Sequence, residues 1–252
     1  MSSPSKLSHF KALQELKDLG AIWNAGTLTQ TAHSISSIKK SNLPMQTLPQ
    51  KAVFLDKDGT LIENVPYNVD PALIQWCEGA IEALQRLHEA GYKLFIITNQ
   101  SGIARGYFEE TALAIVQQHL TGELARFGIP LAGFYYCPHH PDGTIAPYTI
   151  NCSCRKPEPG LLLQAAADHQ IDLSTSWFIG DILHDVAAGR AAGCRTILID
   201  NGNETEWQLS PQRLPHHLVS DLGAAARVIL AIDRSDFSLS FPFPSTLPPI
   251  CR

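Results

Sequence analysis

The chain has 252 residues, 44% hydrophobic and 17% charged, enough for one α/β domain with a full core and short extensions. Nineteen Lys and Arg against 24 Asp and Glu give a net charge of −5, which argues against broad electrostatic binding to nucleic acid or to an anionic membrane surface. No apolar run approaches membrane-spanning length, and residues 1–20 lack the apolar stretch of a secretion signal, so the cytoplasm is the expected setting.

Leu7, Phe10, Leu13, Leu16 and Leu19 recur at helical spacing and Gly20 follows as a stop. Residues 27–50 turn rich in Ser, Thr, Gln and Lys, with Pro44 and Pro49 breaking regularity. Residues 1–50 thus read as a helix and an extended arm, a natural place for a partner or self-association contact. Ordered alternation begins at residue 51. Strands are expected at Ala52–Leu55, Lys93–Thr98, Phe134–Tyr136, Trp177–Ile179 and Arg195–Ile199. Helices are expected at Glu78–Ala90, Glu109–Phe127, Pro159–His169, His184–Ala192 and Asp221–Ile232. The alternation implies a parallel, Rossmann-like sheet with helices on both faces, spanning residues 51–232. Residues 233–252, with FPFPSTLPP, read as an irregular Pro-rich tail.

The first strand runs into Asp56-Lys-Asp58-Gly59-Thr-Leu61. Ligands of open α/β sheets bind at this carboxyl edge. Residues two apart share a face near a strand end, so both carboxylates can converge on one metal and one substrate. Two acids this close repel unless a cation intervenes, and a hard, oxygen-ligated ion such as Mg²⁺ suits them. The bland alternative is an Asp-Gly turn. The second strand ends in Thr98-Asn99-Gln100-Ser101-Gly102, where a hydroxyl and backbone N–H groups can hold phosphate oxygens. Arg155-Lys156-Pro157 precedes a helix, and a fixed ammonium there can meet developing negative charge. Phe178-Ile-Gly-Asp181-Ile-Leu-His-Asp185 sets two more acids after a buried strand.

Each segment has an ordinary reading by itself. In this order they resemble motifs I to IV of the haloacid dehalogenase (HAD) superfamily of phosphatases. The resemblance covers residues 51 to about 230. It implies that Asp56 is the nucleophile and Asp58 the general acid and base. It implies that Thr98 and Lys156 stabilise the transferring phosphoryl group, and that Asp56, Asp181 and the Asp58 carbonyl hold Mg²⁺. Asp185 either reaches the same site or buttresses Lys156.

Three of six cysteines cluster in Cys137-Pro-His139 and Cys152-Ser-Cys154. Three thiolates and an imidazole complete a tetrahedral Zn²⁺ set with no open position, so the site reads as structural. A disulfide such as Cys137–Cys154 is the competing reading. CPHHPDG, CSCRKPEPG and TNQSGIARG are similar to the D-glycero-D-manno-heptose-1,7-bisphosphate 7-phosphatases, a resemblance that selects His139 over His140. The histidinol-phosphate phosphatases share the plan with a shorter gap between the zinc pairs. About forty residues separate Asp56 from Thr98, too few for a large cap, so the zinc loop is expected to wall the pocket and to position Lys156. A small sugar phosphate is the implied substrate, with Asn64, Tyr67, Thr98, Asn99, Gln100, Ser101, Arg155 and Lys156 as contacts. The chain departs from the family at Ile182, where a basic or polar residue often follows the acid. A catalytically idle phospholigand-binding scaffold is the contrasting class. It would have lost Asp56 or Asp58, and both are present.

Overall fold

A computed structural model describes residues 50–240, with side chains described to residue 234. The expected N-terminal helix, nearly all of the arm, any self-association through them, and the tail from residue 241 lie outside the described residues. Six strands form one sheet: β1 (Ala52–Leu55), β2 (Lys93–Asn99), β3 (Leu131–Cys137), β4 (Trp177–Gly180), β5 (Arg195–Ile199) and β6 (His217–Val219). Their order is β3-β2-β1-β4-β5-β6, and every adjacent pair is parallel. Among the described residues five α-helices cover it: α1 (Ala80–Glu89), α2 (Glu110–Arg126), α3 (Gly160–His169), α4 (Leu183–Ala192) and α5 (Leu222–Ser240).

All four residues of β1 are buried, as expected of a central strand with helices on both sides. Their side chains alternate between two cores. Val53 and Leu55 join Leu94, Ile96, Trp177 and Ile179 under α1, α2 and α5. Ala52 and Phe54 join Phe95, Ile97 and Phe178 under α3 and α4. The result is an α/β/α sandwich with β1 and β4 paired at its centre.

Three elements differ from the sequence expectation. β3 runs from Leu131 to Cys137, longer than Phe134–Tyr136, because β2 pairs along its length through a register shift at Leu94/Phe95. β6 is an additional short, half-buried edge strand, which has too few apolar residues to announce itself. α5 passes Ile232 and continues to Ser240, so residues 233–240 are helical and not irregular. Asp233 secures that extension by accepting from Lys51 Nζ at 2.7 Å and Tyr92 Oη at 2.8 Å.

α4 lies close on the sheet because Gly189 faces Thr196 and Phe178. A Cβ there would meet Thr196 Cγ2 at 2.6 Å and Phe178 Cβ at 3.0 Å. Both neighbours are buried and cannot swing away. Replacing Gly189 by Ala gains about 1 kcal/mol of helix propensity but overpacks the contact by about 1–3 kcal/mol. Gly189→Ala is therefore expected to lower unfolding free energy by about 0–2 kcal/mol, with turnover per folded molecule unchanged. Denaturant titration beside initial rates checks both.

Candidate active site

In the order β3-β2-β1-β4-β5-β6 the chain proceeds outward one way from β1 and the other way from β4. The crevice at such a switch point is where α/β sheets bind ligands. Asp56 follows β1 and Asp181 follows β4 at this place. Beyond Asp56 the chain turns back sharply, with Gly59 N–H donating to the Ile62 carbonyl at 2.8 Å. Gly59 has φ +87°, and a Cβ on it would lie 2.1 Å from Asp181 Oδ2 and 2.4 Å from Asn203 Nδ2. Only glycine lets the first loop close onto the second acid.

Asp56, Asp181 and Asp185 are all buried, and each offers a carboxylate oxygen within 4.8 Å of the others. Lys156, 2% exposed, places Nζ 2.5 Å from Asp56 Oδ1, 2.6 Å from Asp185 Oδ1 and 3.1 Å from the Ile97 carbonyl. Burial alone would depress this ammonium, but Asp185 and Asp56 outweigh it and hold the pKa above its usual range. One cation does not balance three carboxylates. Burial, then Asp56 and Asp185, push Asp181 up to about 8. Burial also pushes Asp185 up to about 6, against the pull of Lys156. Asp185 Oδ1, despite its ion pair, receives no well-aligned hydrogen bond. A buried acidic trio that needs protons near neutral pH is a fitting donor set for a hard divalent cation.

Asp58 stands apart from the trio. Its Oδ1 lies 2.6 Å from Lys57 Nζ and its Oδ2 accepts from Gln100 Nε2 at 3.1 Å. Burial raises its pKa, Lys57 opposes and Asp56 adds to the rise, the condition wanted of a carboxyl that must hold a proton. Both oxygens of its side chain are thus engaged, and the sequence reading assigns the metal to its carbonyl instead. Gln100 Nε2 also donates to Thr98 Oγ1 at 2.9 Å, which occupies a Thr98 lone pair and frees its O–H to donate elsewhere.

Asn64, Tyr67, Asn99, Gln100 and Ser101 line one cleft of about 270 Å³ with Asp58. Arg155 and Lys156 line a second, beside the Cys/His loop, with His184. Arg155 Nη1 also donates to the His139 carbonyl at 3.3 Å, so it braces the loop. Asn99 gives its amide to the Lys156 backbone, at 3.0 Å to the carbonyl and 3.0 Å from the N–H. Asn201, Asn203 and Lys57 were not anticipated. Asn203 Nδ2 donates to Asp181 Oδ2 at 2.7 Å and Asn201 Nδ2 to the Gly59 carbonyl at 2.6 Å. Their signal is Asn201-Gly-Asn203 shortly after β5, the same strand-end logic that selected Asp56 and Asp181.

Cys137, His139, Cys152 and Cys154 converge within 4.8 Å. The sulfurs lie 3.1–3.6 Å apart, and His139 Nδ1 is 3.3 Å from Cys154 Sγ and 3.7 Å from Cys137 Sγ. These spacings lie well outside the disulfide length of about 2.05 Å. Zinc–thiolate bonds of about 2.3 Å would space tetrahedral sulfurs by about 3.8 Å, slightly more than is seen. Burial and the Cys154 thiol raise Cys137, so a cation is needed to keep that thiolate ionised.

Acids at the ends of β1 and β4, a buried lysine and this sheet order define a HAD-type phosphatase. A HAD-hydrolase-like family model matches residues 153–225. A crystal structure of D,D-heptose 1,7-bisphosphate phosphatase from B. bronchiseptica, complexed with magnesium and phosphate, superposes with a TM-score of 0.63. It is 32% identical and covers 73% of this chain and 99% of its own. The D-glycero-β-D-manno-heptose-1,7-bisphosphate 7-phosphatase of Pasteurella multocida is 46% identical over 154 residues, 61% of this chain and 83% of the relative. The Escherichia coli K12 protein of that name is 38% identical over 168 residues, 63% of this chain and 88% of the relative. The chain belongs to the D-glycero-β-D-manno-heptose-1,7-bisphosphate 7-phosphatase family.

Asp181 and Asp185 titrate higher folded than unfolded, so the metal-free fold binds more protons than the unfolded chain above the ordinary carboxylate range. Their contribution to stability then falls as pH rises from about 4 to about 8. In EDTA, Tm is expected to drop across that window. Mg²⁺ should raise Tm more at about pH 8 than at about pH 6, and Asp181→Asn should flatten the slope. Thermal scans against pH with and without Mg²⁺ measure this.

Proposed function

We propose that the chain removes the 7-phosphate of D-glycero-β-D-manno-heptose 1,7-bisphosphate in a Mg²⁺-dependent reaction through an aspartyl-phosphate on Asp56. The observation that carries this reading is the buried Lys156 ammonium, which fixes the Asp56 carboxylate at the switch point beside Asp181 and Asp185. The names of the relatives and the magnesium- and phosphate-bound neighbour favour this substrate over histidinol phosphate. A scaffold without chemistry has no use for such a cluster, since buried unpaired carboxylates only cost stability.

Asp56 attacks phosphorus in line, a P–O bond forms to its carboxylate, and the bond to the sugar oxygen breaks. Asp58 gives its proton to the leaving alkoxide, then takes a proton from the water that cleaves the acyl phosphate and releases inorganic phosphate. Lys156 holds one Asp56 oxygen, which restricts the carboxylate to a single orientation. Lys156 and the Thr98 O–H also meet charge on the transferring oxygens. Asp56, Asp181 and the Asp58 carbonyl would hold Mg²⁺, with Asp185 in reach. When bound, the ion offsets repulsion between carboxylate and phosphate. Tyr67, Asn64 and Ser101 contact the sugar from one side and Arg155 from the other. The four-ligand Cys/His set holds structural Zn²⁺ and shapes the pocket wall, in a cytoplasmic protein whose thiols stay reduced. The phosphatase unit starts at residue 51 and includes all of α5.

Hydrolysis assays on heptose bisphosphate, heptose 1-phosphate and histidinol phosphate, with Mg²⁺ and with EDTA, test the substrate. Bisphosphate should be hydrolysed at C7 only and EDTA should stop turnover. Asp56→Asn should lower kcat by at least about 10³-fold with the fold retained by circular dichroism. Residual turnover near wild type would remove Asp56 from the nucleophile role. Metal analysis should find one zinc per chain, lost in Cys152→Ser together with thermal stability.

A further inference from the structure

The Lys156 ammonium does its work only if its backbone is anchored, because a lysine side chain has four rotatable bonds and an exposed loop would let it stray. Cys154, two residues earlier, makes the metal loop the obvious anchor. The hydrogen bonds name another. Asn99 is the last residue of β2, and its amide makes two bonds to one residue: Nδ2 donates to the Lys156 carbonyl at 3.0 Å and Oδ1 accepts from the Lys156 N–H at 3.0 Å. A side-chain amide carries the same donor and acceptor as a peptide group, so Asn99 pairs with Lys156 as a neighbouring strand would. The Lys156 side chain then turns back along β2, and its Nζ donates to the carbonyl of Ile97, two residues before Asn99. β2 therefore grips the lysine at both ends, backbone through Asn99 and ammonium through Ile97. Both of the polar atoms of Asn99 are engaged in this way, although Asn99 lies beside the cleft that Gln100 and Ser101 also line.

We propose that Asn99 is a positioning residue for the reaction, acting on phosphoryl transfer through the Lys156 backbone and not through contact with the sugar. This rests on the role given to Lys156 under Proposed function. The idea separates two neighbours in sequence: Thr98 faces the phosphoryl group, whereas Asn99 turns to the loop that supplies the opposing cation.

Asn99→Ala in the full chain, loaded with Mg²⁺ and Zn²⁺, is expected to lower kcat about 10- to 100-fold, the range a misplaced reacting group commonly costs, with KM changed less than about threefold. A double-mutant cycle with Lys156→Ala separates the outcomes, since residues acting as one unit are not additive. In the Lys156→Ala background the Asn99 substitution should cost nothing further. An equal loss in both backgrounds, or a rise in KM with kcat intact, overturns the proposal and returns Asn99 to substrate contact. Near-normal kcat in Lys156→Ala alone would instead sink the role of Lys156. Amide hydrogen exchange decides the question at any residual rate: the Lys156 N–H should exchange faster in Asn99→Ala while amides of β1 and β4 stay protected. Unchanged protection at Lys156 refutes the clasp. Loss of protection in β1 and β4 as well would mean that Asn99 supports the fold at large, which also refutes it.

Discussion

One buried ammonium among three carboxylates is the constraint on which the rest of the molecule depends. Lys156 is in ion-pair contact with Asp56 and Asp185, and Asp181 is close enough to share a cation with both. Removing four charged groups from water is expensive, and the attraction within the group compensates only when geometry and hydrogen bonding are good. The surroundings answer that requirement. Asn203 donates to Asp181, the Ile182 N–H donates to Asp185 at 3.2 Å, and the Ile97 carbonyl accepts from Lys156. The excess of negative charge that remains, visible in the raised pKa values of Asp181 and Asp185, is a standing demand for a divalent ion.

The architecture explains why these groups can be held so close. β1 and β4 are neighbours although more than a hundred residues of chain lie between them, and their carboxyl ends open at the same crevice. Two glycines permit the final approach. Gly59 brings the first acidic loop against Asp181, and Gly180 lies where a Cβ would meet Asp185 Oδ2 at 2.3 Å. A methyl group at either place would push apart groups whose value depends on tenths of an ångström. The strong preference of this site for glycine is thus electrostatic in purpose and steric in means.

Chemistry is divided between two sides of Asp56. On one, the trio and Lys156 manage charge. On the other, Asp58, Gln100 and Thr98 form a hydrogen-bonded chain in which one amide group contacts both Asp58, proposed for proton transfer, and Thr98, proposed to bind the phosphoryl oxygens. The Cys/His loop joins neither set directly. It enters through Arg155, which donates to its backbone, and through Cys154, two residues from the lysine. A loop in this position can take the place of a separate cap as the wall of the pocket, since Cys152, Ser153 and Arg155 line the cleft beside Lys156.

Sequence alone determined the parallel α/β plan, because buried strands read as unbroken apolar runs and helices as 3.6-residue repeats. It also determined the acids, the lysine and the Cys/His set, since each carries chemistry that few other residue types supply. It missed β6, whose three residues have no pattern to read, and stopped α5 eight residues early because Asp233 has no apolar signature. Asn99 and Gln100 were legible as polar residues near a phosphate site, but not as partners of Lys156 and Asp58. Asn201 and Asn203 were legible only as polar residues after a strand end, not as partners of Gly59 and Asp181. Those pairings join residues 22 to 142 positions apart. Local periodicity carries no information over such distances. Only the sheet order, which sets β1 between β2 and β4, decides which side chains meet.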